Sequence, residues 1–299
     1  MNSVCILLTD HESINEDIIV NSYKKLSKSK IKKIYFIGSK IKFFKVYKKF
    51  NKINKFQFID IKLKTDQFFE YLKSITIEAI RLCKNKKNTI ILNMPLNKKK
   101  FFKNKYPGFT EFFSYYLDKK NNENMLLYNE KNFSVCPLTT HLELKKVEKN
   151  INEKKIKNSI YNIVNFYKKL NKKVKIIVLG LNPHASSDIN KNTKDKILLG
   201  KIVKIMKRKK INISGPISAD TAFIENYKNK VFIGMYHDQV LIPFKTINKF
   251  DGINITIGKK ILRLSPDHGT AKNLRGKRRN ISNESFLKCI DFCSKKLNV

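Results

Sequence analysis

Three histidines of this chain, His141, His184 and His237, each follow an apolar run of strand character: residues 133–138, 174–179 and 231–236. In an open α/β sheet, ligands bind in the crevice outside the carboxyl ends of the strands. Three imidazoles gathered there make a metal site with open positions for substrate. Each one alone also suits a hydrogen-bonded structural role. Their spacing is far too long for a finger-type zinc motif. Beyond His237 come Lys245, Asn254 and Arg263, at intervals of eight, nine and nine residues. An ammonium, an amide and a guanidinium fork suit an anionic ligand such as a phosphate. On pattern alone, a surface lysine and a structural arginine fit equally well. Neither GxGxxG nor GxxxxGK[ST] occurs, and ten glycines in all leave little room for glycine-rich phosphate loops.

The elements that must position these groups follow from periodicity. Residues 4–9, 33–37 and 89–92 read as buried strands. Residues 125–128 and 133–138 read as a hairpin, and 253–257 and 261–264 as late strands. Helical spacing marks 17–26, 41–50, 66–83, 110–117, 151–170, 195–206 and 283–297. In the third of these, Phe69, Leu72, Ile75, Ile77 and Ile80 form the apolar face. In the last, Phe286, Ile290, Cys293 and Leu297 do so. Thr110 is placed to cap its helix, with Glu111 in the first turn. Ser214-Gly215-Pro216 opens a loop. Strands alternating with helices predict an α/β fold with a largely parallel sheet, and the hairpin makes it mixed.

Composition bounds the function. With 299 residues the chain can bury one large core or two medium ones. The count of 63 Lys+Arg against 24 Asp+Glu gives a net charge of +39. Such a surface attracts nucleic acid and acidic membranes. The charge, however, is mostly lysine scattered over the whole chain. A dedicated reader of phosphates concentrates arginine on one face. Nucleic-acid binding is therefore expected to be nonspecific at most. The five cysteines are odd in number, irregularly spaced and without a CxxC pair, which predicts a reducing, cytoplasmic setting. The apolar run at 4–8 is too short for a signal segment, and no stretch approaches the ~20 residues of a membrane span.

Several short motifs occur in a telling order. They are Asn97-Lys98 after Pro95, Thr110-Glu111-Phe112-Phe113, Gly180-Leu181-Asn182-Pro183-His184-Ala185 and Gly215-Pro216 with Ala219-Asp220-Thr221. Tyr236-His237-Asp238-Gln239, Gly252-Ile253-Asn254-Ile255-Thr256 and Asp267-His268-Gly269-Thr270-Ala271 follow. In this order they resemble the 4-hydroxythreonine-4-phosphate dehydrogenase (PdxA) family of vitamin B6 synthesis, strongly from about residue 93 onward. The resemblance implies an isocitrate/isopropylmalate-dehydrogenase-like fold of two α/β domains with a central cleft, in a homodimer with its site at the subunit interface. The domains would be 1–104 plus 276–299, and 105–275. It implies a divalent metal (Zn, Co or Mg) on His141, His184 and His237, and substrate on Thr110, Lys245, Asn254 and Arg263. The implied reaction is NAD- or NADP-dependent oxidation and decarboxylation of 4-phosphooxy-L-threonine to 3-amino-2-oxopropyl phosphate. That chemistry needs a base for the hydroxyl proton, for which Asp220 and Asp238 are the candidates. His268 takes a supporting or purely structural part.

This chain departs from the family pattern in three places. Phe109 stands where the family usually has a histidine before the Thr-Glu pair, so an apolar ring replaces a polar contact. The segment after the first strand, 9–15, lacks the usual glycines and proline. The loop after His184 reads Ala185-Ser186-Ser187-Asp188-Ile189-Asn190 in place of a glycine-bearing one. Phe109 keeps open a relative that acts on another phosphorylated hydroxy acid, such as 4-phosphothreonate. The charge of +39 keeps open a degenerate, RNA-binding relative.

Overall fold

Runs of four to six residues rich in Ile, Val, Leu and Phe form the strands, and amphipathic segments between them form the helices. The structure is a computed structural model and describes residues 2–120, 122–188, 192–224, 227–249, 251–277 and 281–295. These form two compact units. Unit 1 is Met1–Asn121, Phe250–Ile255 and Lys259–Val299; unit 2 is Asn122–Lys249 and Thr256–Gly258. The sequence division fell at 104/105 and 275/276.

In unit 1 the strands β1 (Ser3–Leu7), β2 (Lys33–Gly38), β3 (Phe56–Asp60), β4 (Thr89–Asn93) and β11 (Arg263–Pro266) lie in the order β3-β2-β1-β4-β11. Every one of these neighbouring pairs is parallel. The central strands β1 and β4 are buried along nearly their whole length, as parallel strands covered on both faces must be. Helices α1 (Asn15–Asn21), α2 (Tyr23–Lys28), α3 (Phe44–Phe50), α4 (Phe68–Asn85), α5 (Lys98–Phe102), α6 (Phe109–Leu117) and α11 (Glu284–Cys293) complete the unit. On α4, Tyr71, Leu72, Ile75, Ala79 and Ile80 face the core, while Ile77 is 44% exposed, against expectation. The edge strand β3 was not foreseen, because its Phe56-Gln57-Phe58 alternation is half exposed and short. On α11, Phe286, Ile290 and Cys293 are buried as expected; Leu297 lies outside the described residues.

In unit 2 the order is β5-β6-β9-β7-β8, from β5 (Asn124–Tyr128), β6 (Ser134–Pro137), β7 (Lys175–Leu179), β8 (Ile213–Ile217) and β9 (Lys230–Gly234). The β5–β6 pair is the expected antiparallel hairpin, and the other pairs are parallel. Helices α7 (Leu144–Asn150), α8 (Glu153–Lys169), α9 (Lys201–Arg208) and α10 (His237–Asn248) accompany them. A π-helical turn, Asp195–Gly200, precedes α9. The strand β10 (Ile253–Ile257) straddles the division between the units.

Two elements of unit 2 correct the sequence reading. Ser214-Gly215-Pro216 lies within β8, not in a loop. Proline removes a ladder donor, but β8 is an edge strand, where that loss is tolerated. The helix α10 was missed because Pro243 lies inside it. Its Val240, Leu241 and Phe244 pack against Leu127, Val135, Ile177 and Phe232. Full burial of a side chain such as Phe244 contributes about 1.5–3 kcal/mol, enough to offset a missing helical bond. Among the described residues, no helix is long and apolar enough to cross a membrane.

Candidate active site

The three histidines lie beyond the carboxyl ends of three adjacent parallel strands, β6, β9 and β7. His141 is four residues past Pro137, His237 is three past Gly234, and His184 is five past Leu179. Two cross-links tie these ends together. Thr139 Oγ1 donates to the Met235 carbonyl at 2.8 Å. Gln239 Oε1 accepts from Met235 N–H at 2.7 Å, and its Nε2 donates to the Gly180 carbonyl at 2.7 Å. The amide of Gln239 thus bridges the strand ends that lead to His237 and His184.

The rings of His141 and His237 have centroids 6.0 Å apart, a separation that two ligands of one cation can share. His237 Nδ1 is 2.6 Å from Asp238 Oδ1. His184 instead pairs through Nδ1 with Asp188 Oδ2 at 2.7 Å. The Asp188 carboxylate, with a smaller contribution from Asp220, raises the pKa of this exposed imidazole. Among the described residues no three His, Cys, Asp or Glu side chains close around a single point. The donor set nonetheless suits a cation. Three imidazoles are present on neighbouring strand ends, two of them 6.0 Å apart and tilted by 39°. Of the candidate bases, Asp238 is engaged with His237, and exposed Asp220 accepts from Thr221 N–H at 2.9 Å, three residues past β8.

The loop that carries His184 is under backbone strain. His184, Ala185 and Ser186 have φ of 51°, 50° and 60°, the left-handed region that costs a non-glycine residue about 1–2 kcal/mol. None of these three positions is a glycine. Gly180 has no room for a side chain, since a Cβ there would lie 2.6 Å from the Ala185 Cα. Asp195, which the sequence marked only as a helix start, holds the loop in place. Its fully buried carboxylate accepts from Leu181 N–H at 2.6 Å and Asn182 N–H at 3.3 Å. It also accepts from Asn182 Nδ2 and Ser186 Oγ, both at 2.7 Å. An acidic residue eleven positions after His184 was the only signal in the sequence, too weak to read without the fold. Ile189 and Asn190 of this loop lie outside the described residues.

The expected substrate groups divide between the units. Lys245 is exposed on α10 of unit 2, two turns beyond His237. Thr110, Asn254 and Arg263 belong to unit 1. Arg263 opens β11 and is 2% exposed. Its Nε donates to Asn93 Oδ1 at 2.6 Å and its Nη1 to Thr110 Oγ1 at 3.2 Å. Burial pulls its pKa down to about 10, with the Glu111 carboxylate opposing the fall, so the guanidinium stays charged at neutral pH. Thr110 does not cap α6 as expected. Gly108 is the capping residue, and the threonine hydroxyl turns to Arg263. Asn254 Oδ1 is buried with no hydrogen-bond partner, an acceptor left for a ligand.

His268 Nδ1–H donates to the Gly269 carbonyl at 2.9 Å, its Nε2 is buried with no hydrogen-bond partner, and burial lowers its pKa below the usual 6.5. The unfolded chain then takes up the proton first, so stability is lost as pH falls through the ordinary imidazole range toward the folded value. Relative to wild type, His268→Gln is expected to gain stability between about pH 7.5 and about pH 5.5. Urea unfolding at both values checks this, and a pH-independent difference refutes it.

Taken together, the parallel sheet of unit 1 and the histidine-bearing strand ends of unit 2 define an α/β chain of the isocitrate-dehydrogenase fold class. The isocitrate dehydrogenase of Methylococcus capsulatus superposes with a TM-score of 0.57 at 12% identity, over 98% of this chain and 85% of that one. A 4-hydroxythreonine-4-phosphate dehydrogenase from Klebsiella pneumoniae superposes with a TM-score of 0.80 at 24% identity, over 98% and 97% of the two chains. Residues 5–293 match the family model "Pyridoxal phosphate biosynthetic protein PdxA", and the chain belongs to that family. A 4-hydroxythreonine-4-phosphate dehydrogenase from Sulfurihydrogenibium sp. (strain YO3AOP1) is 30% identical over 95% of this chain and 95% of its own length.

Proposed function

We propose that this chain oxidises the C3 hydroxyl of 4-phosphooxy-L-threonine with NAD or NADP, with loss of CO2, to give 3-amino-2-oxopropyl phosphate for pyridoxal phosphate synthesis. The observation that carries this reading is the set of three histidines beyond the carboxyl ends of adjacent parallel strands β6, β9 and β7. His141, His184 and His237 would hold one divalent cation (Zn, Co or Mg). When bound, such a cation supplies Lewis acidity for the alcohol oxygen and for the charge left as CO2 departs.

The chain's own groups do the rest. Lys245 and Arg263 bind the phosphate and carboxylate and so orient C3. Thr110 and Asn254 add uncharged polar contacts to the same substrate. Asp220 or Asp238 accepts the hydroxyl proton. We further propose a cytoplasmic homodimer, in keeping with five free cysteines.

The test is NADH formation from 4-phosphooxy-L-threonine with and without a chelator. Chelator-sensitive turnover is expected, and its absence sinks the reading. The apolar Phe109 favours a second reading, oxidation of 4-phosphothreonate, which the same assay separates: turnover of that substrate alone would replace the first.

A further inference from the structure

Besides the Glu111 carboxylate, the neighbours of the Arg263 guanidinium include three of different chemistry, all in unit 1. Asn93 Oδ1 accepts from Nε, Thr110 Oγ1 accepts from Nη1, and the Phe109 ring centroid lies 5.0 Å from Cζ. Asn93 is the last residue of β4 and is 3% exposed; Phe109 opens α6 and is 8% exposed. The orientation of the Asn93 amide is itself set, since its Nδ2 donates to the Met94 carbonyl at 3.2 Å. A short bond from a charged donor inside a protein is strong and directional. It fixes the Nε edge of the fork. A ring with the guanidinium carbon over it, 5.0 Å from its centroid, adds a second restraint. An arginine has many rotamers, and holding it in one before substrate arrives lowers the entropy lost on binding.

We propose that Asn93 and Phe109 are positioning residues that hold the Arg263 guanidinium ready for an anionic group of the substrate. The inference rests on the assignment of Arg263 to substrate. It recasts Phe109, which in sequence looked only like a lost polar contact, as the platform under the arginine. Thr110 then has a double part, touching Arg263 and substrate alike.

The experiment uses the full chain and two readouts. One is steady-state turnover of 4-phosphooxy-L-threonine; the other is binding of inorganic phosphate followed by thermal shift. Asn93→Ala and Phe109→Leu are each expected to raise KM about tenfold, the effect of losing one charge-assisted contact, with kcat changed far less. Phosphate affinity should fall in parallel. Phe109→Tyr keeps the ring face, so it should stay close to wild type. On an Arg263→Met background, Asn93→Ala should add nothing further to KM or to phosphate affinity. A purely structural role predicts the opposite: an undiminished effect on that background, or loss of stability with KM unchanged.

The inference is overturned if Arg263→Met weakens binding while Asn93→Ala and Phe109→Leu do not. A different result marks failure of the underlying assignment: Arg263→Met itself leaves KM and phosphate affinity unchanged. A wild-type chain with neither turnover nor phosphate binding overturns both. Should Asn93→Ala not fold, Phe109→Leu against Phe109→Tyr decides the matter alone.

Discussion

His237→Ala is expected to lower NADH formation by about a thousandfold, while stability stays within about 0.5 kcal/mol of wild type. Removing one of three cation ligands forfeits several kcal/mol of charge stabilisation in the transition state. The fold should barely notice. The His237 side chain is 36% exposed, and its partner Asp238 is 68% exposed, so no buried group is left unpaired. His141 faces His237 at 6.0 Å, so the same substitution should also lower bound divalent metal measured by atomic absorption. Unchanged turnover and unchanged metal content would overturn the proposed ligand set. Loss of turnover with metal retained would move His237 from ligand to some other part in the chemistry.

Asp195→Ala should have the largest effect on stability, about 3–4 kcal/mol by urea unfolding. The carboxylate is fully buried and accepts from two backbone N–H groups, an amide and a hydroxyl. Without it these donors have no acceptor, and the left-handed run from His184 to Ser186 loses what holds it. Asp195→Asn keeps an acceptor but turns an NH2 toward other donors, so an intermediate loss is expected. Activity should fall in the same order, because the loop carries His184. A loss under about 1 kcal/mol for Asp195→Ala would mean the loop is held by other contacts.

Much of the fold was legible because its strands are short apolar runs bounded by charge or glycine, and β1, β2 and β4 announce themselves that way. What was not legible had a local signal opposed by a tertiary one. Pro243 speaks against a helix, yet α10 forms because Val240, Leu241 and Phe244 find a core. Gly215-Pro216 speaks against a strand, yet β8 needs few ladder bonds at the sheet edge. Thr110 is a good cap by type, but its hydroxyl accepts instead from the buried guanidinium of Arg263, a charge-assisted bond.

By itself, the sequence determined the alternation of strands and helices, the family motifs and the identities of the candidate ligands, since each depends on neighbours in the chain. It placed His141, His184 and His237 at strand ends, but not on adjacent strands. That adjacency is a matter of strand order, which local periodicity does not encode. Nor could it show that Asn93, Phe109 and Thr110 surround Arg263, more than 150 residues away in the chain. Such contacts come from the parallel pairing of β4 with β11, which only the folded core selects.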